Sequence, residues 1–233
     1  PPEYKILYSL VNEQQNELEI DIHFGFKLII RGGCTVEGAF FLGVMWAVWI
    51  WATFLLERDH PLRFPAALVA LLLLIAFPHQ AAVGRLDMSW ALIVIMAAGY
   101  GYFGRFSKWA LLVRLAGVFI VMTGYAGLLL FELYDPVWMF AWRTICYSLF
   151  LFILVHLLFR SKMDAVAAAL TGTAQGEILY ALVLAKWDFH ITAGSAAYLD
   201  IAGLFLLYAC GWHFIDTALN LISERAAKKE KPG

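Results

Sequence analysis

Ionisable side chains stand inside long apolar stretches of this sequence, and Glu177 is one of the most deeply placed. It occurs in TGTAQGEILYALVLAK, residues 171–186, where nearly every residue after the carboxylate is apolar. Arg143 lies at a similar distance from the end of the preceding apolar stretch, so we predict that the two side chains form a buried ion pair. Charged groups inside a bilayer are rare and usually paired, and they mark transport pathways when they are not structural.

A second match in depth joins Arg114 with Asp216, and His213 stands about one helical turn from Asp216 in GWHFID. We predict that these three side chains form a cluster. Two interpretations stay open: the charges fix the arrangement of a bundle, or Glu177 and Asp216 carry a proton or a small solute. Three further carboxylates are expected to line the outer mouth in contact with water, namely Glu132, Asp135 and Asp200.

The residues around Glu177 predict which way its side chain faces. Ala168, Gly172 and Gly176 recur at four-residue spacing, the small-residue pattern that allows two membrane helices to approach closely. Glu177 is the next residue around the helix from Gly176. We therefore expect its carboxylate to face protein and not lipid.

The composition is that of a membrane protein. Hydrophobic residues make up 62% and charged residues 15% of the chain, with a mean hydropathy of +0.74, whereas ordinary soluble domains carry roughly 25% charged residues. The net charge of −1 and the lack of basic stretches interleaved with aromatics argue against nucleic acid as a partner. No catalytic, phosphate-binding or metal-binding motif occurs, so we expect no enzyme activity, no cofactor and no metal. The cysteines are interpreted as packing residues and are Cys34, Cys146 and Cys210.

Apolar runs of membrane length recur along the chain. A helix of about 17–25 apolar residues spans a hydrocarbon core of roughly 30 Å, and the pattern predicts an all-α, polytopic bundle of about seven such helices. Six is the fallback number, because Pro78 and His79 interrupt the second run and GYGYFG loosens the end of the third. The runs are 39–56, 65–83, 88–104, 109–134, 136–159, 164–186 and 198–222.

The flanking charges predict the orientation, because short cytoplasmic loops collect Lys and Arg. With the N-terminus outside and the C-terminus inside, the outer connections carry only Arg85 and Lys186. We thus expect a transmembrane domain at 36–225, a basic cytoplasmic tail at 226–233, and a place in the bacterial cytoplasmic membrane or a spore membrane. The inner side then holds Arg58, Arg63, Arg105, Lys108, Arg160, Lys162, Arg225, Lys228, Lys229 and Lys231.

Residues 1–35 have neither a membrane-length run nor a signal-peptide pattern. One interpretation is a short extramembrane segment with strand character, since EIDIHFGFKLII alternates in part. The other, which we favour, is a translated leader ahead of a start at Val36. Arg31-Gly32-Gly33 can be encoded by a purine-rich string of the ribosome-binding type, and a GTG codon for Val36 would serve as a bacterial start.

Four separated stretches carry a family resemblance: EGAFFLGVMWAVWIWATFLL, LLLFELYDPVWMFAWR, QGEILYALVL and AGSAAYLDIAGLF. Together they resemble the YphA family of multi-pass membrane proteins from endospore-forming Firmicutes, over roughly residues 36–222. The resemblance implies a role in sporulation or in assembly of the spore envelope, and it transfers no site residues. The leading hypothesis is therefore a non-enzymatic protein that organises partners in the lipid bilayer or the envelope, and the alternative is the carrier or channel described above.

Overall fold

The structure is a computed structural model, and it describes residues 37–57, 63–83, 86–135, 143–187, 189 and 191–229 of the 233-residue chain. The leader predicted at 1–35 and the last four residues of the predicted tail lie outside these ranges. Within them the chain forms seven helices and three short strands. In chain order they are α1 (Ala39–Ile50, continued by a π-helical turn at Trp51–Leu55), α2 (Arg63–Ala76), β1 (Gln80–Val83), β2 (Leu86–Ser89), α3 (Trp90–Phe103), α4 (Lys108–Tyr134), α5 (Arg143–Leu158), α6 (Lys162–Ala185), β3 (Thr192–Ala193) and α7 (Ala196–Lys229).

The predicted helical bundle is confirmed for the described residues. Three helices are long and apolar enough to cross a membrane: α4, α6 and the Ala196–Asn220 part of α7. The other four are apolar but only 10–17 residues long. The second apolar run had been expected to continue to 83, but α2 ends at Ala76 and Pro78 follows, because proline cannot continue a helix without losing a backbone hydrogen bond.

A three-stranded sheet at one end of the bundle was not predicted from the sequence. β1 and β2 pair antiparallel, from Gln80 opposite Ser89 to Val83 opposite Leu86. β3 adds to β2 in parallel, with Thr192 opposite Asp87. The sheet ties the connection before α3 to the connection before α7, so both lie at the same end of the bundle. We call this the strand end, and the end where α4 and α6 begin the opposite end.

The central helix is α6, which packs against α3, α4, α5 and α7. Its small residues allow the closest of these approaches, as predicted from the sequence. A Cβ added to Gly172 would lie 2.8 Å from the side chain of Val121, and one added to Gly176 would lie 2.9 Å from the ring of Tyr125. Both glycines therefore mark the line along which α4 and α6 touch.

Candidate functional site: a buried tyrosine and carboxylate cluster

Glu177 is held inside the bundle by two hydrogen bonds. Glu177 is 7% exposed and lies on the face of α6 that meets α4. The Tyr125 hydroxyl donates to Oε1 at 2.8 Å, and the Gly194 backbone N–H donates to Oε2 at 3.3 Å. The prediction that Glu177 faces protein is confirmed, because a carboxylate accepting two donors needs no lipid-exposed surface.

The Gly194 donor reaches Glu177 because the connection before α7 turns back into the bundle. Gly194 has φ +78°, a conformation that glycine adopts without steric cost. A Cβ at this position would lie 2.8 Å from Cβ of Leu92, next to the start of α3. The neighbouring Ser89 caps α3, its Oγ accepting the Leu92 N–H at 3.2 Å. Sheet, cap and glycine together place one backbone donor beside the carboxylate.

Three tyrosines from three different helices surround this position. Tyr125 of α4, Tyr147 of α5 and Tyr198 of α7 are each at most 1% exposed. The ring of Tyr125 lies edge-on to both others, with centroid distances of 5.9 Å to Tyr147 and 6.3 Å to Tyr198. The Tyr198 hydroxyl shares a hydrogen bond of 3.3 Å with Thr173 on α6. A buried tyrosine is stabilised when its apolar ring packs edge-to-face on another ring and its hydroxyl forms a hydrogen bond.

The predicted ion pair between Arg143 and Glu177 is wrong. Arg143 pairs instead with Glu132, with Nε 2.8 Å from Oε1, and the Tyr147 hydroxyl donates to the same carboxylate at 2.7 Å. The reason is that Arg143 is the first residue of α5, and Glu132 lies in the last turn of the adjacent α4. Glu132 is thus held by protein donors as well, although 22% of its side chain remains exposed.

The predicted cluster of Arg114, Asp216 and His213 is also wrong. Arg114 pairs with Asp164 in the first turn of α6, with a distance of 2.9 Å between Nη2 and Oδ2, because α4 packs along α6. Asp216 pairs with Lys162 at the same end, with both side chains about 40% exposed. His213 lies within the same helix as its partner, its Nδ1 being 3.1 Å from Oγ1 of Thr217.

Asp164 also accepts a hydrogen bond from the Tyr102 hydroxyl at 2.8 Å. The guanidinium of Arg114 lies over the ring of Phe106 at 3.7 Å from its centroid, within the range of a cation–π contact. Asp164 is 6% exposed. A second buried carboxylate, held by Tyr102 and Arg114, therefore lies at the opposite end of the bundle from Glu177.

Asp200 does not line a water-filled mouth as expected. It is 4% exposed and caps α1 from α7: Oδ2 accepts the Gly38 N–H at 2.7 Å and Oδ1 accepts the Phe41 N–H at 3.0 Å. These are the two donors that a capping box satisfies from within one helix, and here a single carboxylate of another helix serves both. Asp135, the third predicted mouth residue, is exposed directly after α4, and its role stays a prediction.

The sequence reasoning missed the tyrosines and Asp164. A signal for the tyrosines existed, because Tyr125 and Tyr147 stand inside apolar runs, where each hydroxyl must find a partner.

In the described ranges every buried side-chain nitrogen or oxygen has a hydrogen-bond partner, and no three His, Cys, Asp or Glu side chains come together as a metal site needs. The buried carboxylates Glu177, Asp164 and Asp200 thus each join two or more elements of the bundle.

The exposed surface of the bundle indicates which class of protein this is. Large apolar side chains are exposed along several helices, among them Phe64, Trp109, Leu157 and Phe214, each at least 75% exposed. A soluble monomer rarely exposes so much apolar surface, whereas a helical bundle in a bilayer turns such side chains to lipid and its polar groups inward. The fold and the buried cluster therefore define a multi-pass membrane protein.

Comparison with known proteins gives the family. The chain belongs to the YphA-like integral membrane proteins, whose family model matches residues 37–233. It is 24% identical over 198 residues to the uncharacterised protein YphA of Bacillus subtilis (strain 168), an alignment that covers 83% of this chain and 97% of that protein. No solved structure matches the chain.

Proposed function

We propose that this chain is a non-catalytic membrane protein that organises other membrane or envelope components during sporulation. One observation carries the proposal: the buried carboxylates are occupied in joining helices. Glu177 joins α6 to α4 and to the connection before α7, Asp164 joins α6 to α3 and α4, and Asp200 joins α7 to α1. Groups held in this way fix an arrangement, and a fixed arrangement is what an organising protein needs.

The alternative, a carrier that uses Glu177 and Asp216, has less support. Asp216 meets Lys162 at the start of α6, and Glu177 lies fifteen residues further along the same helix, about 22 Å away at 1.5 Å per residue. The two carboxylates therefore belong to different ends of the bundle and do not form one binding site. Glu177→Gln, which removes the charge of the side chain and keeps its shape, distinguishes the organising protein from the carrier.

We expect a partner protein to contact this chain at the part of α7 between residues 209 and 220. His213, Thr217 and Asn220 are exposed there, inside a candidate membrane span. Polar side chains at such positions usually face protein or a water-filled cavity and not lipid. A photocrosslinker at 217 is expected to capture one discrete membrane or envelope protein, whereas one at Phe119, an exposed apolar position on α4, is expected to capture lipid. Lipid alone at both positions would overturn this assignment.

The link to sporulation rests on the family, and timing of expression tests it. A fluorescent fusion expressed from the native promoter in the original host is expected to appear only after the onset of sporulation. Deletion of the gene is expected to lower the yield of heat-resistant spores, with restoration by the intact chain. Constitutive expression together with normal spores after deletion would reject the proposal.

A further inference from the structure

A cavity of about 500 Å³ opens at the opposite end of the bundle, where α4 and α6 begin and α5 ends. Its volume falls in the range of roughly 300–1,000 Å³ found for small-molecule sites. One wall is apolar and includes Val113 and Ile120 of α4 and Leu158 of α5. The rim is polar, with Arg114, Arg160 and Asp164.

The rim carries one unneutralised positive charge. Arg114 and Asp164 form the ion pair described above and cancel one another. Arg160 is exposed and has no hydrogen bond or ion pair with any other residue of the described ranges. An arginine without a protein partner retains all five N–H donors for a ligand, and its planar guanidinium matches the oxygens of a phosphate group.

The apolar wall extends from this rim into the bilayer. Val113 and Ile120 lie seven residues apart on one face of α4, which corresponds to about 10 Å along the helix axis. They are 70% and 46% exposed, so the cavity opens sideways toward lipid. A cationic rim joined to an apolar wall of this length has the polarity profile of the upper part of a phospholipid, whereas a free phosphate would match only the rim.

We propose that this cavity binds an anionic phospholipid, with Arg160 holding its phosphodiester group and the α4 wall receiving the start of an acyl chain. Basic pockets between membrane helices recognise anionic head groups in this way. Arg105 and Lys108 are exposed at the same end and do not line the cavity.

The test is retention of lipid by the purified full chain, measured by native mass spectrometry after extraction from vesicles of phosphatidylcholine and phosphatidylglycerol. The wild-type chain is expected to retain phosphatidylglycerol. Arg160→Gln is expected to lower its apparent affinity about tenfold, the effect of one lost charge-assisted contact. Ala116→Trp, which fills the cavity from α4, is expected to do the same. Arg105→Gln is the matched control, since it removes one exposed arginine from the same end outside the cavity, and it should retain lipid like the wild type.

Arg160→Gln is expected to melt like the wild type in phosphatidylcholine alone, because the Arg160 side chain has no partner in the described ranges to lose. Equal retention by Arg160→Gln and Arg105→Gln would overturn the proposal, and so would equal retention of the two lipids by the wild type. Displacement of phosphatidylglycerol by inorganic phosphate at comparable concentration would assign the cavity to free phosphate and reject the lipid.

Discussion

The Tyr125 hydroxyl donates a hydrogen bond of 2.8 Å to Glu177 at the place where Gly176 brings α4 and α6 into contact. The second oxygen of the carboxylate accepts the Gly194 N–H. Donors from two different elements thus meet on one side chain of the central helix. This relationship explains how a carboxylate can lie deep in a membrane bundle without a direct ion-pair contact: two hydrogen bonds replace the water it lost.

The corrected ion pair predicts a specific pattern of coupling. In a double-mutant cycle, Arg143→Gln and Glu132→Gln should couple by about 0.5–1 kcal/mol in the free energy of unfolding, a modest value because both side chains are partly exposed. Arg143→Gln and Glu177→Gln should be additive within about 0.5 kcal/mol. Denaturant unfolding in a defined detergent measures both cycles. A larger coupling of Arg143 to Glu177 than to Glu132 would restore the pairing inferred from sequence.

Gly194→Ala tests the turn that brings its N–H to Glu177. The alanine would have to adopt the positive φ of this position, and its Cβ would lie against Leu92. We therefore expect a loss of about 1–3 kcal/mol in the free energy of unfolding. For a chain of this size that is a fall in melting temperature of roughly 2–4 °C per kcal/mol. The control is Gly127→Ala, because a Cβ there meets no atom within 4 Å. Equal melting temperatures for both variants would show that the turn is not constrained.

Asp200→Asn tests the cap of α1. The amide keeps one acceptor oxygen but turns an NH₂ group toward the second backbone donor, so one of the two hydrogen bonds is lost. We expect a loss of about 0.5–2 kcal/mol and faster hydrogen exchange of the Phe41 amide. Asp87→Asn, at an exposed position of the strand end, is the control. Unchanged exchange at Phe41 would mean that α1 does not depend on this cap.

The orientation is tested by two reporter fusions. Following the distribution of Lys and Arg, a reporter after residue 225 should be cytoplasmic and one near Asp188 should be external. One candidate membrane span, the Ala196–Asn220 part of α7, separates the two positions, so we expect the reporters on opposite sides. Reporters on the same side would contradict the seven-helix topology, and an exchange of sides would reverse only the orientation.

The sequence predicted the helices better than the contacts between them. Apolar length and small-residue spacing are local signals, so the helices and the inward side of Glu177 were predictable. Depth counted from the ends of apolar runs misplaced Arg143, which is the first residue of α5 and pairs with Glu132 in the last turn of α4. The two residues of β3 are too few to leave a pattern. Asp164 was treated as the first residue of a run, and only the packing of α4 on α6 shows that it is buried.

Glu177→Gln provides the most direct test of the claim that the buried carboxylates hold the bundle together. Spore yield in the host and the amount of folded protein are measured on the same strains, with wild type and Tyr125→Phe for comparison. Each variant removes one of the two hydrogen bonds of the Glu177 side chain, so we expect each to lower spore yield in proportion to its loss of folded protein. A Glu177→Gln chain that folds to the wild-type level and still fails to support sporulation would contradict the account, since only a titratable carboxylate acting in transport explains that result.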